Sequence, residues 1–231
     1  MSLRAVLFDM DGTLVDTEGL WWEACVTVAA ELGLELDDSD SADVFGRLVE
    51  HVAAHLVRRS RTGTGRPAQE AVAVRLADEF AGRVAGGVTP LPGALRLLDD
   101  LGAAGVPIAL VSASPRRVVD IVLRTVGADR FRLVVAAEDT ERGKPRPDPY
   151  LKAAAGLGAE PFRCVAVEDS PTGIAAAGAA GCRVIAVPPG GTASTTSPDG
   201  AAPYGVLTVD SLEQVDLPML RMLATGQISV G

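Results

Sequence analysis

The sequence predicts a doubly wound α/β fold: a parallel sheet core carrying an inserted α-helical domain. Three observations carry this. Short, continuously apolar runs recur along the chain, helical patterns separate them, and the rhythm breaks once, between residues 16 and 87, where no strand pattern occurs. Runs apolar on both faces mark strands of a parallel sheet, because crossover helices cover both of its sides. Strands alternating with helices of this size build the doubly wound class.

The first run, 5–8, leads directly into Asp9. Comparable runs occupy 107–111, 133–136, 164–167 and 183–187, with a weaker one at 206–209. Between them, 92–101 starts with a proline and spaces Ala94, Leu97, Leu98 and Leu101 on one helical face. Residues 115–126 repeat the design with Ser114 as the expected N-cap. Helices are also expected over 148–156 and 171–180. The core domain is therefore assigned to 1–15 and 88–231, and the helical insertion to 16–87. The insertion is expected to hold helices at 18–32, 42–59 and 67–84, with a loop at 60–66 and hinges at 15–16 and 86–87. A Gly, Ser, Thr and Pro-rich stretch at 188–203 reads as surface loop.

Composition excludes several classes. The chain has 231 residues, 48% of them hydrophobic, so a large core is available. A net charge of -9 and the lack of a basic run argue against nucleic acid. No stretch reaches membrane-spanning length, and the first apolar run is too short for a signal peptide. The 3 cysteines, Cys25, Cys164 and Cys182, fit neither a zinc site nor a disulfide framework. A cytoplasmic protein, monomeric by default, is the expectation.

The chemistry is expected at the strand ends, since ligands of open α/β sheets bind beyond the strand carboxyl ends. Asp9 and Asp11 follow the first strand, in Asp9-Met10-Asp11-Gly12-Thr13. Like charges so close need a cation nearby. Ser112, Ala113 and Ser114 follow the second core strand, a hydroxyl with backbone N–H groups at a helix start, which suits an anion. Lys144 is one of two lysines in the chain and lies in a proline-bracketed loop. A compact ammonium there suits a phosphate oxygen. Glu168 and Asp169 follow the fourth core strand and offer the hard oxygen ligands of Mg2+.

These four motifs, in this order, resemble the haloacid dehalogenase superfamily, in its phosphatase and phosphomutase branch with a helical cap. The resemblance spans residues 5–189. It implies an Asp9 nucleophile that forms an aspartyl-phosphate, and Asp11 as general acid and base. It implies Mg2+ held by Asp9, Asp169 and the backbone carbonyl of Asp11, with Glu168 acting on a metal-bound water. Ser112, Lys144 and backbone N–H groups near Met10 and Ala113 would bind the phosphoryl oxygens. The implied substrate is a small phosphate ester, a sugar or polyol phosphate. A β-phosphoglucomutase-like mutase is the alternative, and a non-catalytic binding protein a second one. The insertion has no lysine, and Trp21 stands where the mutase branch carries a histidine. This favours phosphatase over mutase, and the missing lysine argues against Schiff-base chemistry. Asp11 argues against dehalogenase chemistry. Within the insertion Trp21 and Arg47 are the substrate-contact candidates. Glu18 suits a first helical turn. His51 and His55, spaced i, i+4, lack a third ligand and read as packing or surface residues. Arg116 and Arg117 sit against the helix dipole at their helix start, a slight hint of a role.

Overall fold

A computed structural model describes residues 2–60, 68–188 and 206–227. Its chain divides into two compact units, Met1–Asp16 with Thr89–Gly231, and Thr17–Val88.

The first unit is built on a six-stranded parallel sheet. Its strands are β1 (Ala5–Phe8), β4 (Ile108–Val111), β5 (Leu133–Val135), β6 (Cys164–Glu168), β7 (Arg183–Ala186) and β8 (Val206–Thr208), in the order β5-β4-β1-β6-β7-β8. In β1, β4 and β6 every residue is buried, which explains why their runs are apolar without alternation. One sheet face carries Leu7, Ala109, Val111, Ala166 and Val184. It packs on Tyr150, Ala153 and Ala154 of α7 (Asp148–Gly156) and on Ala176 and Ala177 of α8 (Pro171–Ala179). Small residues on both helices let them approach the strands closely. The alternate residues Val6, Phe8, Leu110, Val165, Val167 and Ile185 are equally buried, so the other face is covered too. There α9 (Leu217–Thr225) lies on β6 and packs against α5 (Ala94–Ala103). Each buried Leu or Val contributes about 1.5–3 kcal/mol relative to exposure.

Strand order reverses at β1. The chain runs outward through β4 and β5, then crosses back to place β6 on the other side of β1. That reversal opens a crevice at the carboxyl ends of β1, β4 and β6. A short antiparallel ribbon pairs β2 (Val15–Asp16) with β3 (Thr89–Pro90), at positions expected to be a hinge and its surroundings. The helix expected from 115 starts at Arg116, as α6 (Arg116–Val126), and Ser114 does not cap it. The Glu138 carboxylate accepts the Arg116 N–H instead, at 2.9 Å.

The second unit is helical: α1 (Glu18–Glu31), α2 (Ser41–Val44), α3 (Val49–Arg59) and α4 (Gln69–Ala85). Its core joins Cys25, Val28 and Ala29 of α1 to Val52, Ala53 and Leu56 of α3 and to Val72 and Leu76 of α4. The single helix expected over 42–59 is in fact two. Gly46 has φ +64°, which right-handed helix cannot accommodate, and the chain breaks there. The loops expected at 60–66 and 188–203 fall almost wholly outside the described residues.

Candidate active site

Four segments deliver their polar side chains to the crevice. Asp9 leaves β1 with its N–H bound to the Val167 carbonyl of β6 at 2.9 Å. The residue is only 6% exposed. Gly12 then turns the chain at φ +78°. A Cβ at Gly12 would stand 2.2 Å from Asp169 Oδ2. Only glycine lets the late acid lie against the first loop.

Lys144 is buried, and its Nζ donates to Asp9 Oδ1 at 2.6 Å and to Glu168 Oε1 at 2.5 Å. Tyr150 Oη donates to the same Glu168 oxygen at 2.6 Å. Ser170 Oγ donates to Glu168 Oε2 at 3.1 Å while accepting the N–H of Gly173 in the first turn of α8. Glu168 is thus a fully buried carboxylate with donors on both oxygens. Asp9, Glu168 and Asp169 each offer an oxygen, all within 4.8 Å of one another.

The charges explain the titration of the site. Asp9 is pushed up to about 7 by burial first, then by the Glu168 and Asp11 carboxylates, with Lys144 opposing. Burial alone would lower Lys144, but Asp9 and Glu168 more than offset it and hold the ammonium protonated. Three carboxylates facing one ammonium leave a negative surplus in a poorly solvated place. Hard oxygens with that surplus suit a divalent cation such as Mg2+.

Asp11 faces a different pair. Its Oδ2 accepts from Ser114 Oγ at 2.7 Å and from Ser112 Oγ at 3.3 Å. Ser112 Oγ in turn accepts the Ser114 N–H at 2.9 Å. The hydroxyl expected to cap α6 therefore orients Asp11. Ala113 lies exposed between the two serines.

The motif residues Asp9, Asp11, Ser112, Lys144, Glu168 and Asp169 come together at one sheet edge. The candidates of the helical unit have partners inside that unit. Trp21 Nε1 donates to the Val44 carbonyl at 3.1 Å, with its ring edge-on to Phe80. Arg47 Nε reaches back to the Ala42 carbonyl at 2.9 Å, at the end of α2. His51 pairs with Asp43, and His55 with the buried Asp40. In the first unit, Arg116 pairs with Asp139. Sequence reading missed Tyr150 and Ser170. Tyr150 carried a signal of sorts, a tyrosine in the first turn of the helix that follows Lys144.

Comparison with known proteins identifies the family. Residues 3–181 match the model of the haloacid dehalogenase-like hydrolase family. Hexitol phosphatase A of Escherichia coli is 36% identical over 187 residues, 81% of this chain and 84% of that protein. Validoxylamine A 7'-phosphate phosphatase of Streptomyces hygroscopicus subsp. limoneus is 31% identical over 226 residues, 91% and 95% of the two chains. Among solved structures, a HAD family hydrolase from Deinococcus radiodurans with bound phosphate and sodium is 36% identical, with a TM-score of 0.64 over 90% of this chain and 92% of that one. The motif order, the parallel sheet and these matches agree: the chain belongs to the haloacid dehalogenase-like hydrolase family.

Proposed function

We propose that this hydrolase cleaves a small phosphate monoester, a sugar or polyol phosphate, through an aspartyl-phosphate on Asp9. One observation carries the reading: Lys144 stands 2.6 Å from Asp9, within a buried cluster that also gathers Glu168 and Asp169. A phosphatase of hexitol among the relatives favours a polyol ester.

In this reading an Asp9 oxygen forms a bond to phosphorus as the bond to the leaving oxygen breaks. Asp11 gives its proton to that leaving oxygen, and Ser114 and Ser112 hold the carboxyl in place for it. Water then attacks phosphorus, Asp11 takes its proton, and the Asp9–phosphorus bond breaks to release phosphate. Lys144 has three N–H bonds, and two are committed to Asp9 and Glu168. The third serves a phosphoryl oxygen, together with Ser112 and the Ala113 N–H.

Asp9, Asp169 and the Asp11 carbonyl would hold Mg2+. When bound, the cation supplies the positive charge that keeps Asp9 ionised beside a phosphate dianion. Trp21 and Arg47 remain the substrate-contact candidates, and a monomeric cytoplasmic enzyme remains the setting. Among the described residues, no helix is long and apolar enough to cross a membrane.

The test is hydrolysis of an aryl phosphate with Mg2+ by wild type and Asp9→Asn. Turnover should fall at least about a thousandfold in the variant, as for other lost nucleophiles, with an unchanged circular dichroism spectrum. Wild-type turnover in Asp9→Asn would remove the nucleophile from the scheme. A phosphorylated isomer in place of free phosphate from a sugar 1-phosphate would turn the reading to a mutase.

A further inference from the structure

We infer that Tyr150 is a positioning residue of this hydrolysis, fixing through Glu168 where the Lys144 ammonium stands against Asp9. The inference rests on the phosphatase reading above.

The geometry is specific to the hydroxyl. Glu168 Oε1 accepts two short hydrogen bonds, from Lys144 at 2.5 Å and from Tyr150 at 2.6 Å. A carboxylate oxygen offers about two lone-pair positions, so these donors fill it. Ser170 holds the other oxygen more loosely, donating from its Oγ at 3.1 Å and from its backbone N–H at 3.4 Å. Oε1 is therefore the oxygen at which the tyrosine hydroxyl and the Lys144 ammonium meet.

The same contact sets the balance of Lys144. Its ammonium is shared between Asp9 Oδ1 at 2.6 Å and Glu168 Oε1 at 2.5 Å. A carboxylate oxygen already accepting a phenol proton is a weaker acceptor for the ammonium. Without the phenol, Glu168 would draw Lys144 toward itself and away from the nucleophile. The fully buried ring of Tyr150 also lies in the apolar layer under the sheet, with Lys144 Nζ 5.3 Å from its centroid. A purely structural role would need only that ring.

Tyr150→Phe separates the two roles, since it keeps the ring and removes one oxygen. With an aryl phosphate and saturating Mg2+, kcat should fall about tenfold or more, the range for lost partners of site ligands. Inorganic phosphate should bind the Mg2+-loaded variant more weakly by calorimetry, while the thermal midpoint stays close to wild type. A folded Tyr150→Phe with wild-type kcat and phosphate affinity overturns the inference. In a Glu168→Gln background, Tyr150→Phe should add little to the loss of phosphate affinity; full additivity would show that the tyrosine does not act through Glu168.

If Tyr150→Phe does not fold, 3-fluorotyrosine changes the strength of the hydroxyl while keeping its shape. The chain has only 2 tyrosines, so Tyr204→Phe leaves position 150 as the sole labelled site. An unchanged kcat on fluorination again overturns the proposal. A wild type that neither cleaves aryl phosphate nor binds phosphate sinks the phosphatase reading and this inference together. An active wild type matched by its variants sinks only this one.

Discussion

Replacing Gly173 by alanine should injure both stability and turnover, against the ordinary rule for helices. Gly173 is the third residue of α8. Alanine is favoured over glycine in helix by about 1 kcal/mol, so propensity alone predicts a more stable protein. The surroundings predict the reverse. A Cβ at this position would fall 1.8 Å from Glu168 Oε1 and 2.0 Å from its Cδ, so one of them must move. The carboxylate is no free end, because Lys144 and Tyr150 hold it at 2.5 and 2.6 Å. Hydrogen bonds to a charged group contribute about 1.5–3 kcal/mol each. Losing both, less the helix gain, gives a net destabilisation of about 2–5 kcal/mol. Turnover should fall about 10–100-fold, because Lys144 loses its anchor. Urea unfolding followed by circular dichroism measures the first effect, with an unchanged m-value certifying the comparison. Gly102→Ala is the control. It lies in α5 with no atom within 4 Å of its Cβ position, and should stabilise by up to about 1 kcal/mol. If Gly173→Ala behaves like Gly102→Ala and keeps full turnover, Glu168 is not pinned as described.

Ser114→Ala removes the 2.7 Å bond to Asp11 and leaves the longer one from Ser112; kcat should fall about tenfold with little change in unfolding midpoint, and an unchanged kcat would remove Ser114 from the site. In metal-free protein, Asp9 titrates near 7 against about 4 in an unfolded chain. Its raised value adds stability that is complete below about 4 and is lost as pH rises toward 7, at up to about 1.4 kcal/mol per unit. Wild type in EDTA should therefore lose stability relative to Asp9→Asn across that window, and Mg2+ should reduce the loss. A difference that stays flat or grows in favour of wild type contradicts the charge surplus.

What the sequence made legible, and what it hid, follow from one physical distinction. Strands buried on both faces must be apolar throughout, so β1, β4 and β6 announce themselves as runs, and the polar residue that ends each run is then conspicuous. Asp9, Ser112 and Glu168 were visible for that reason. Partners are set by tertiary placement, which no local pattern records. Ser114 looked like a helix cap because capping is local, yet its hydroxyl goes to Asp11, 103 residues away. Tyr150 was passed over; its ring belongs to the core, and only the position of Glu168 turns its oxygen into a site group. The break at Gly46 was missed because the apolar spacing of 42–59 continues across it, while a single positive φ ends the helix. The glycines complete the argument. Gly12 leaves room for Asp169, and Gly173 leaves room for Glu168. Each acid of the late pair is seated where a Cβ would stand, one in the first loop and one in the helix that follows it. The acidic cluster is therefore held by absences as much as by contacts, and those absences acquire meaning only once the two ends of the chain are brought together.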